Sequence, residues 1–300
     1  MPRVDTLAGA CLATLVGVGA AVGQDSRTLP VPEVLYRAVR ENLVRAERVA
    51  HLYAYQERRT DVHTNPFGRV GTGGTRVFEV YPSPTPGLIY RRLVQRNDVR
   101  VTVDELADQD RDYRRRVADV QRRSADRRPE ARSRAEQEAS RARDRRQRRI
   151  EDVVEALRFT LEGRTVYDGR PAITISFAPR PDAKPETREG RMAVKFEGTI
   201  WIDEAASEVM HVEGTSIDDI TFGWGLAARV RKGASASLTR RPVADGLWMP
   251  TQIRLTGSGS AALFRRLVID FTVDWFDYRR LEVHSATPFL DLAEPHLGSW

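Results

Sequence analysis

A chain of 300 residues can fill one large domain or two ordinary ones. Its 41% apolar and 30% charged residues, net charge of +6 and mean hydropathy of −0.47 exclude both a wholly disordered polymer and a bundle of membrane helices. All but three of the 48 basic residues (Lys184, Lys195 and Lys232) are arginine, a bias read as base composition before arginine chemistry.

The first segment sets the expected destination. Arg3 opens a short basic region, Leu7 to Val22 is an uncharged run of small and aliphatic residues, and Ala21-Val22-Gly23 supplies small residues at the cleavage positions. That pattern predicts a secretory signal peptide over 1–23, cut before Gln24. Cys11, the one cysteine, lies inside it. The mature chain is then expected to be exported and free of disulfides, thiolate catalysis and cysteine-based zinc sites.

Pro30 and Pro32 precede an expected helix on which Leu35, Val39, Leu43, Ala46 and Ala50 recur at steps of four and three. Strands are predicted from Tyr53 to His63, Thr75 to Tyr81 and Leu88 to Gln95, with turn chemistry at 65–68 and 71–74. From Asp104 to Ile150 the composition shifts to sixteen arginines against eleven acids, without glycine and with one proline, Pro129. This predicts an arginine-rich helical hairpin inserted over about 104–157. Its second helix turns amphipathic at Ile150, Val153, Val154 and Leu157, where it docks on the main body.

Beyond Phe159 the pattern is antiparallel sheet. Thr165 to Phe177 forms a hairpin around Asp168-Gly169. Met192, Val194, Phe196, Ile200 and Ile202 alternate along one long strand, and Val209–Thr215, Ala228–Thr239 and Leu247–Thr256 add three more. In the last strand Leu267, Ile269, Phe271, Val273 and Trp275 alternate with a mostly polar set. Period two with one apolar face means a sheet covered on one side and wet on the other. About ten strands in meander order can pack as a sandwich, close into a barrel or curl around helices. The long N-terminal helix favours curling, with the helix as a lid over whatever apolar cavity remains.

Several stretches, FEVYP at 78–82, RRLV at 91–94, LEGRTVYDGRPAITISFAP at 161–179, GTIWIDEAASEVMHVEG at 198–214, GLWMP at 246–250 and DYRRLE at 277–282, resemble the periplasmic lipoprotein-localisation factors (LolA/LolB-like), above all the outer-membrane lipoprotein-sorting proteins. Order and spacing match from about Tyr53 to Glu282. The resemblance implies a periplasmic half-barrel of about eleven antiparallel strands closed by helices, with an apolar interior that takes acyl chains and no catalytic residues. The arginine-rich hairpin departs from the classical carriers. The resemblance also extends to envelope-stress regulators of the same fold, which bind a partner protein through an exposed surface.

Other chemistry finds little support. The five histidines show no metal-ligand spacing on one element, and Asp218-Asp219 and Asp270, Asp274 and Asp277 read as solvated or arginine-paired carboxylates. The glycines at 71–74 precede a β-branched strand where a phosphate loop needs a helix N-terminus. No serine has a nucleophile-elbow context. The arginine run could meet anionic headgroups or an acidic partner; export, interleaved acids and few aromatics argue against nucleic acid. Trp300 at the end of the sequence fits an outer-membrane barrel, but the residues before it do not alternate.

The expected molecule is therefore a single half-barrel domain over 24–300, mainly β with α, without enzymatic activity, cofactor or metal. Its cavity lining is Met192, Val194, Phe196, Leu267, Ile269, Phe271, Val273 and Trp275; its lid residues are Leu35, Val39 and Leu43. Arg40, Arg45 and Arg48 are placed at the rim against headgroup charge. The alternative is an interaction or sensor module that works through the hairpin.

Overall fold

The computed structural model describes residues 28–64, 74–82, 88–125, 148–222, 228–244, 246–261 and 265–281; the predicted signal peptide, residues 126–147 of the hairpin and Trp300 lie outside them. The chain folds around one antiparallel sheet of thirteen strands: β1 (Tyr53–Thr64), β2 (Gly74–Tyr81), β3 (Tyr90–Arg96), β4 (Val99–Arg100), β5 (Leu157–Tyr167), β6 (Arg170–Pro179), β7 (Phe196–Asp203), β8 (Glu208–Ser216), β9 (Ile220–Phe222), β10 (Ala228–Val230), β11 (Ser235–Ala244), β12 (Leu247–Ala261) and β13 (Arg265–Arg280). The helices are α1 (Pro32–Val49), α2 (Val103–Ala125), α3 (148–156) and α4 (Arg188–Ala193).

The spatial order is β4-β3-β2-β1-β13-β12-β11-β8-β7-β6-β5, with the β9–β10 hairpin branching from the far end of β12. Three local meanders are thus joined by two long-range pairings, β1 with β13 and β8 with β11. β4 and β5 remain as edges, so the sheet curls without closing into a barrel.

Hairpin chemistry explains the local pairings. Asn97-Asp98 and Asp168-Gly169 carry positive φ at both central positions, the backbone a two-residue turn needs to match strand twist. The chain leaves regular pairing at Asp277, also at positive φ, where Tyr55 of β1 faces two residues of β13.

The curl is covered from two sides. α1, begun by Pro32 in its first turn, lies across the inner face. Its first half packs Leu35, Tyr36 and Val39 on Ile173, Ile175, Ile200 and Ile202, and its end packs Ala46, Val49 and Ala50 on Tyr53, Leu247, Met249 and Tyr278. An 18-residue helix is about 27 Å long, close to the six strand spacings of about 4.8 Å between β6 and β1. At the other end Ile220, Val230 and Ala234 of the β9–β10 region gather Met192, Phe196 and Ile269. Phe196 on β7 and Ile269 on β13 stand four strands apart in the sheet, so one cluster holding both requires a curled floor bridged by the hairpin.

Two expectations are corrected here. Met192 and Val194 do not lie on the long strand. Met192 belongs to α4, whose N-cap Thr187 accepts the Gly190 N–H, while Asp152 of α3 accepts the N–H groups of Glu186 and Thr187 and the Thr187 hydroxyl. These bonds fix a helical turn that alternation alone does not reveal. Gly190 is required there, since a Cβ would stand 2.1 Å from the Asp152 carboxylate. The expected strand 228–239 is likewise two strands. Gly233 at φ +89 and the hydrogen bonds of Ser216 to Gly233 and Ala234 turn the chain between β10 and β11. With the short strands β4 and β9, which the sequence pattern also misses, the split raises the count from ten strands to thirteen.

Candidate functional site

Residues directly opposite in adjacent strands share a face, so register identifies the inner floor. One row runs Ile200, Val212, Leu238, Ile253, Val273 and then Arg59 across β7, β8, β11, β12, β13 and β1. The next row is Gly198, Gly214, Ala236, Leu255 and Phe271. Val212, Leu238, Ile253, Leu255 and Phe271 are only half-buried, and they occupy the stretch between the α1 clusters and the β9–β10 cluster. In the second row Phe177 of β6, opposite Gly198, lies over Gly214, where an added Cβ would stand 3.2 Å from its ring. An apolar floor with water over it is costly: each methylene withdrawn from water there contributes roughly 0.8 kcal/mol.

The outer face at the same level is polar, running Thr199, Glu213, Ser237, Arg254, Thr272 and Thr60, and holds a depression of about 550 Å³. Further along it, Tyr167, Trp201 and His211 stack together beside Trp248, over which Arg170 lies at 5.5 Å. Burial lowers the His211 pKa, with Glu213 acting in the opposite direction.

The predicted lining divides into three groups. Met192, Phe196 and Ile269 are packed under the β9–β10 hairpin. Phe271, Val273 and Trp275 continue along the inner edge of β13, with Val273 fully buried. Val194 is half-buried just after α4, and the Leu267 side chain lies outside the described residues. Of the lid residues, Leu35 is buried and Val39 packs beside it, whereas Leu43 is half-buried.

Arg40, Arg45 and Arg48 line a groove of about 480 Å³ along α1, together with Arg37 and Glu41. Carboxylates already meet two of them: Arg40 pairs with Glu151 at 2.7 Å and Arg45 approaches Glu208 at 3.4 Å. Glu208 is itself buried and bound at 3.0 Å by buried Arg240, which also donates to the Trp248 carbonyl.

One cluster was not anticipated. Glu57, on the inner face of β1 opposite Trp275, is 1% exposed. Its Oε1 accepts from Arg59 Nε at 2.5 Å and Arg91 Nη1 at 3.1 Å, and its Oε2 accepts from Trp275 Nε1 at 3.1 Å. Arg59 lies over the Phe78 ring at 5.8 Å. In the sequence these residues fall on three strands distant along the chain, Glu57 and Arg59 on β1, Arg91 on β3 and Trp275 on β13; the signal is that Tyr55, Glu57 and Arg59 share the parity of the apolar face, which only the β1–β13 register makes visible.

α2 packs on β3, near the β4 edge of the sheet. Its Gln109 amide donates to the Leu93 carbonyl at 3.1 Å and accepts the Leu93 N–H at 2.8 Å, occupying the edge of β3 as a neighbouring strand would. Asp110 accepts from the Tyr90 hydroxyl and from Arg92, and buried Tyr113 stacks on Tyr90 at 4.2 Å. Burial and Asp110 push the Tyr90 phenol far up. The exposed side of α2 is laced by Arg111–Asp108, Arg115–Asp112 and Arg122–Asp119 pairs. Asp218 and Asp219 are likewise held by Lys195, Arg229 and the Lys232 N–H, which lowers both pKa values. Among the described residues no three histidine or carboxylate side chains gather as metal ligands, and no helix is long and apolar enough to cross a membrane.

No family model and no curated protein matches this chain. Solved structures do. A DUF1329 family protein from Desulfovibrio piger is 12% identical, with 84% of this chain and 97% of that one covered and a TM-score of 0.31. A LolA superfamily protein from Nitrosomonas europaea is 8% identical, with 85% and 94% covered and a TM-score of 0.30. An outer membrane lipoprotein-sorting protein domain from Vibrio parahaemolyticus is 10% identical, with 79% and 91% covered and a TM-score of 0.27. Two of the three carry the description of the family that the sequence resembles. The curled antiparallel sheet crossed by an N-terminal helix is the architecture that this resemblance implies. At these identities no residue role is carried over from those chains.

Proposed function

We propose that this protein is a non-catalytic periplasmic binding protein that takes an acyl chain, free or on a lipoprotein, onto the inner floor between α1 and the β9–β10 hairpin. The observation that carries this reading is the row of half-buried apolar residues, Val212, Leu238, Ile253, Leu255 and Phe271, which neither cover reaches. The export signal read at 1–23 supports the compartment. α1 is the element that moves: it is joined to the sheet by side-chain packing, and its shift widens the trough.

The exported protein, purified from the periplasm without detergent, is expected to carry a species of lipid mass in native mass spectrometry that solvent extraction confirms. Phe271→Asp places a charge in the floor and is expected to abolish uptake of a fluorescent fatty acid. Normal uptake by a folded Phe271→Asp variant refutes the reading.

A further inference from the structure

The apolar trough ends at a cationic pair. Arg59 and Arg91 share a single carboxylate, Glu57, so the three side chains leave one positive charge unmatched within the cluster. Both carboxylate oxygens of Glu57 are committed, because Oε1 takes both arginines and Oε2 takes the Trp275 indole. Glu57 is fully buried, whereas the arginine side chains are 33% and 41% exposed, so the anchor is inside and the guanidinium heads are reachable. A guanidinium carries five N–H donors in a planar fork suited to a two-oxygen anion, and each of these spends one on Glu57. Phe78 under Arg59 and Trp275 beside Glu57 wall the cluster with apolar surface. The register places Arg59 next to Val273, in the same row as the trough.

We infer that Arg59 and Arg91, positioned by Glu57 and Trp275, seat the anionic head (a carboxylate or phosphate) of an amphiphile whose chain lies along the trough. This rests on the acyl-chain reading above and adds the head that the chain must carry. Surplus positive charge against an apolar wall is stabilised by a bound oxyanion, and the buried anchor holds both forks in place before the ligand arrives. The arginines of α1 are a different group, with Glu151 and Glu208 already beside Arg40 and Arg45.

The test compares dodecanoate, dodecyl phosphate, dodecanol and inorganic phosphate on the intact mature protein by titration calorimetry. The expected result is that the two anionic amphiphiles bind at least about tenfold more tightly than dodecanol, roughly one well-formed charged contact. Arg59→Gln and Arg91→Gln are expected to remove that preference while leaving dodecanol binding unchanged, which also shows that the variants fold. Equal binding of dodecanoate and dodecanol, or a preference that survives both substitutions, overturns the head site and leaves the trough intact. Inorganic phosphate binding as tightly as dodecyl phosphate overturns it too, in favour of a free-anion site. Binding of none of the chain-bearing compounds defeats the trough reading itself.

Discussion

α1 and α2 are both amphipathic, yet they hold the sheet by different chemistry. α1 docks mainly through aliphatic side chains spread over the inner faces of β5–β7 and then β11–β13 and β1, with a few directed contacts between: Asn42 donates to the carbonyls of Ala206 and Ser207, and Arg40 pairs with Glu151. α2 docks through directed bonds at one strand edge: the Gln109 amide, the Asp110 carboxylate and the Tyr90–Tyr113 stack. Apolar packing is non-directional and tolerates a sliding or lifting helix, whereas a paired amide and an ion pair fix one position. The first arrangement suits a lid and the second a clamp.

Truncation separates these roles most strongly at α1. Leu35→Ala leaves a hole against Ile173, Ile175 and Ile202 and is expected to cost about 2–5 kcal/mol in urea unfolding, while fatty-acid uptake becomes faster. Unchanged uptake kinetics in that destabilised variant would show that α1 is not the moving cover. At the clamp, Asp110→Asn weakens the contacts to Arg92 and Tyr90 and is expected to cost about 1–3 kcal/mol with uptake unaltered, by the same two measurements. The smallest effect belongs to the outer side of α2. Arg115→Ala breaks an exposed pair with Asp112 and is expected to change stability by no more than about 0.5 kcal/mol at any salt concentration.

The same contrast revises how the arginine-rich region is dissected. Removing 104–150 takes away Gln109, Asp110 and Tyr113 and bares the edge of β3, so lost partner binding in that deletion would confound a surface with a structural support. A deletion confined to 126–147 spares all three.

Much of the architecture is legible in local pattern. The stripe on α1 and the alternation along β7 and β13 are set by neighbours two to four residues away, and sequence spacing records them directly. The parts that escape are set by distant partners. Met192 reads as strand because alternation continues through it, and only Asp152, forty residues earlier, makes the turn helical. The splitting of 228–239 depends on Ser216 and on the far end of β12. Glu57, Arg59 and Arg91 look like wet-face residues until β1 is paired with β13, since the decisive Glu57–Trp275 contact spans 218 positions.

That pairing also governs the order of assembly. β13 lies between β12 and β1, so the strands made first have no partner on one side until nearly the whole chain has emerged. Before then the β1–β4 meander and the β5–β12 strands are two separate half-sheets with open edges. Closing a loop of this length is slow compared with forming local hairpins. The Glu57–Trp275 contact, and with it the anchoring of Arg59 and Arg91 on Glu57, is complete only once β13 has paired with β1.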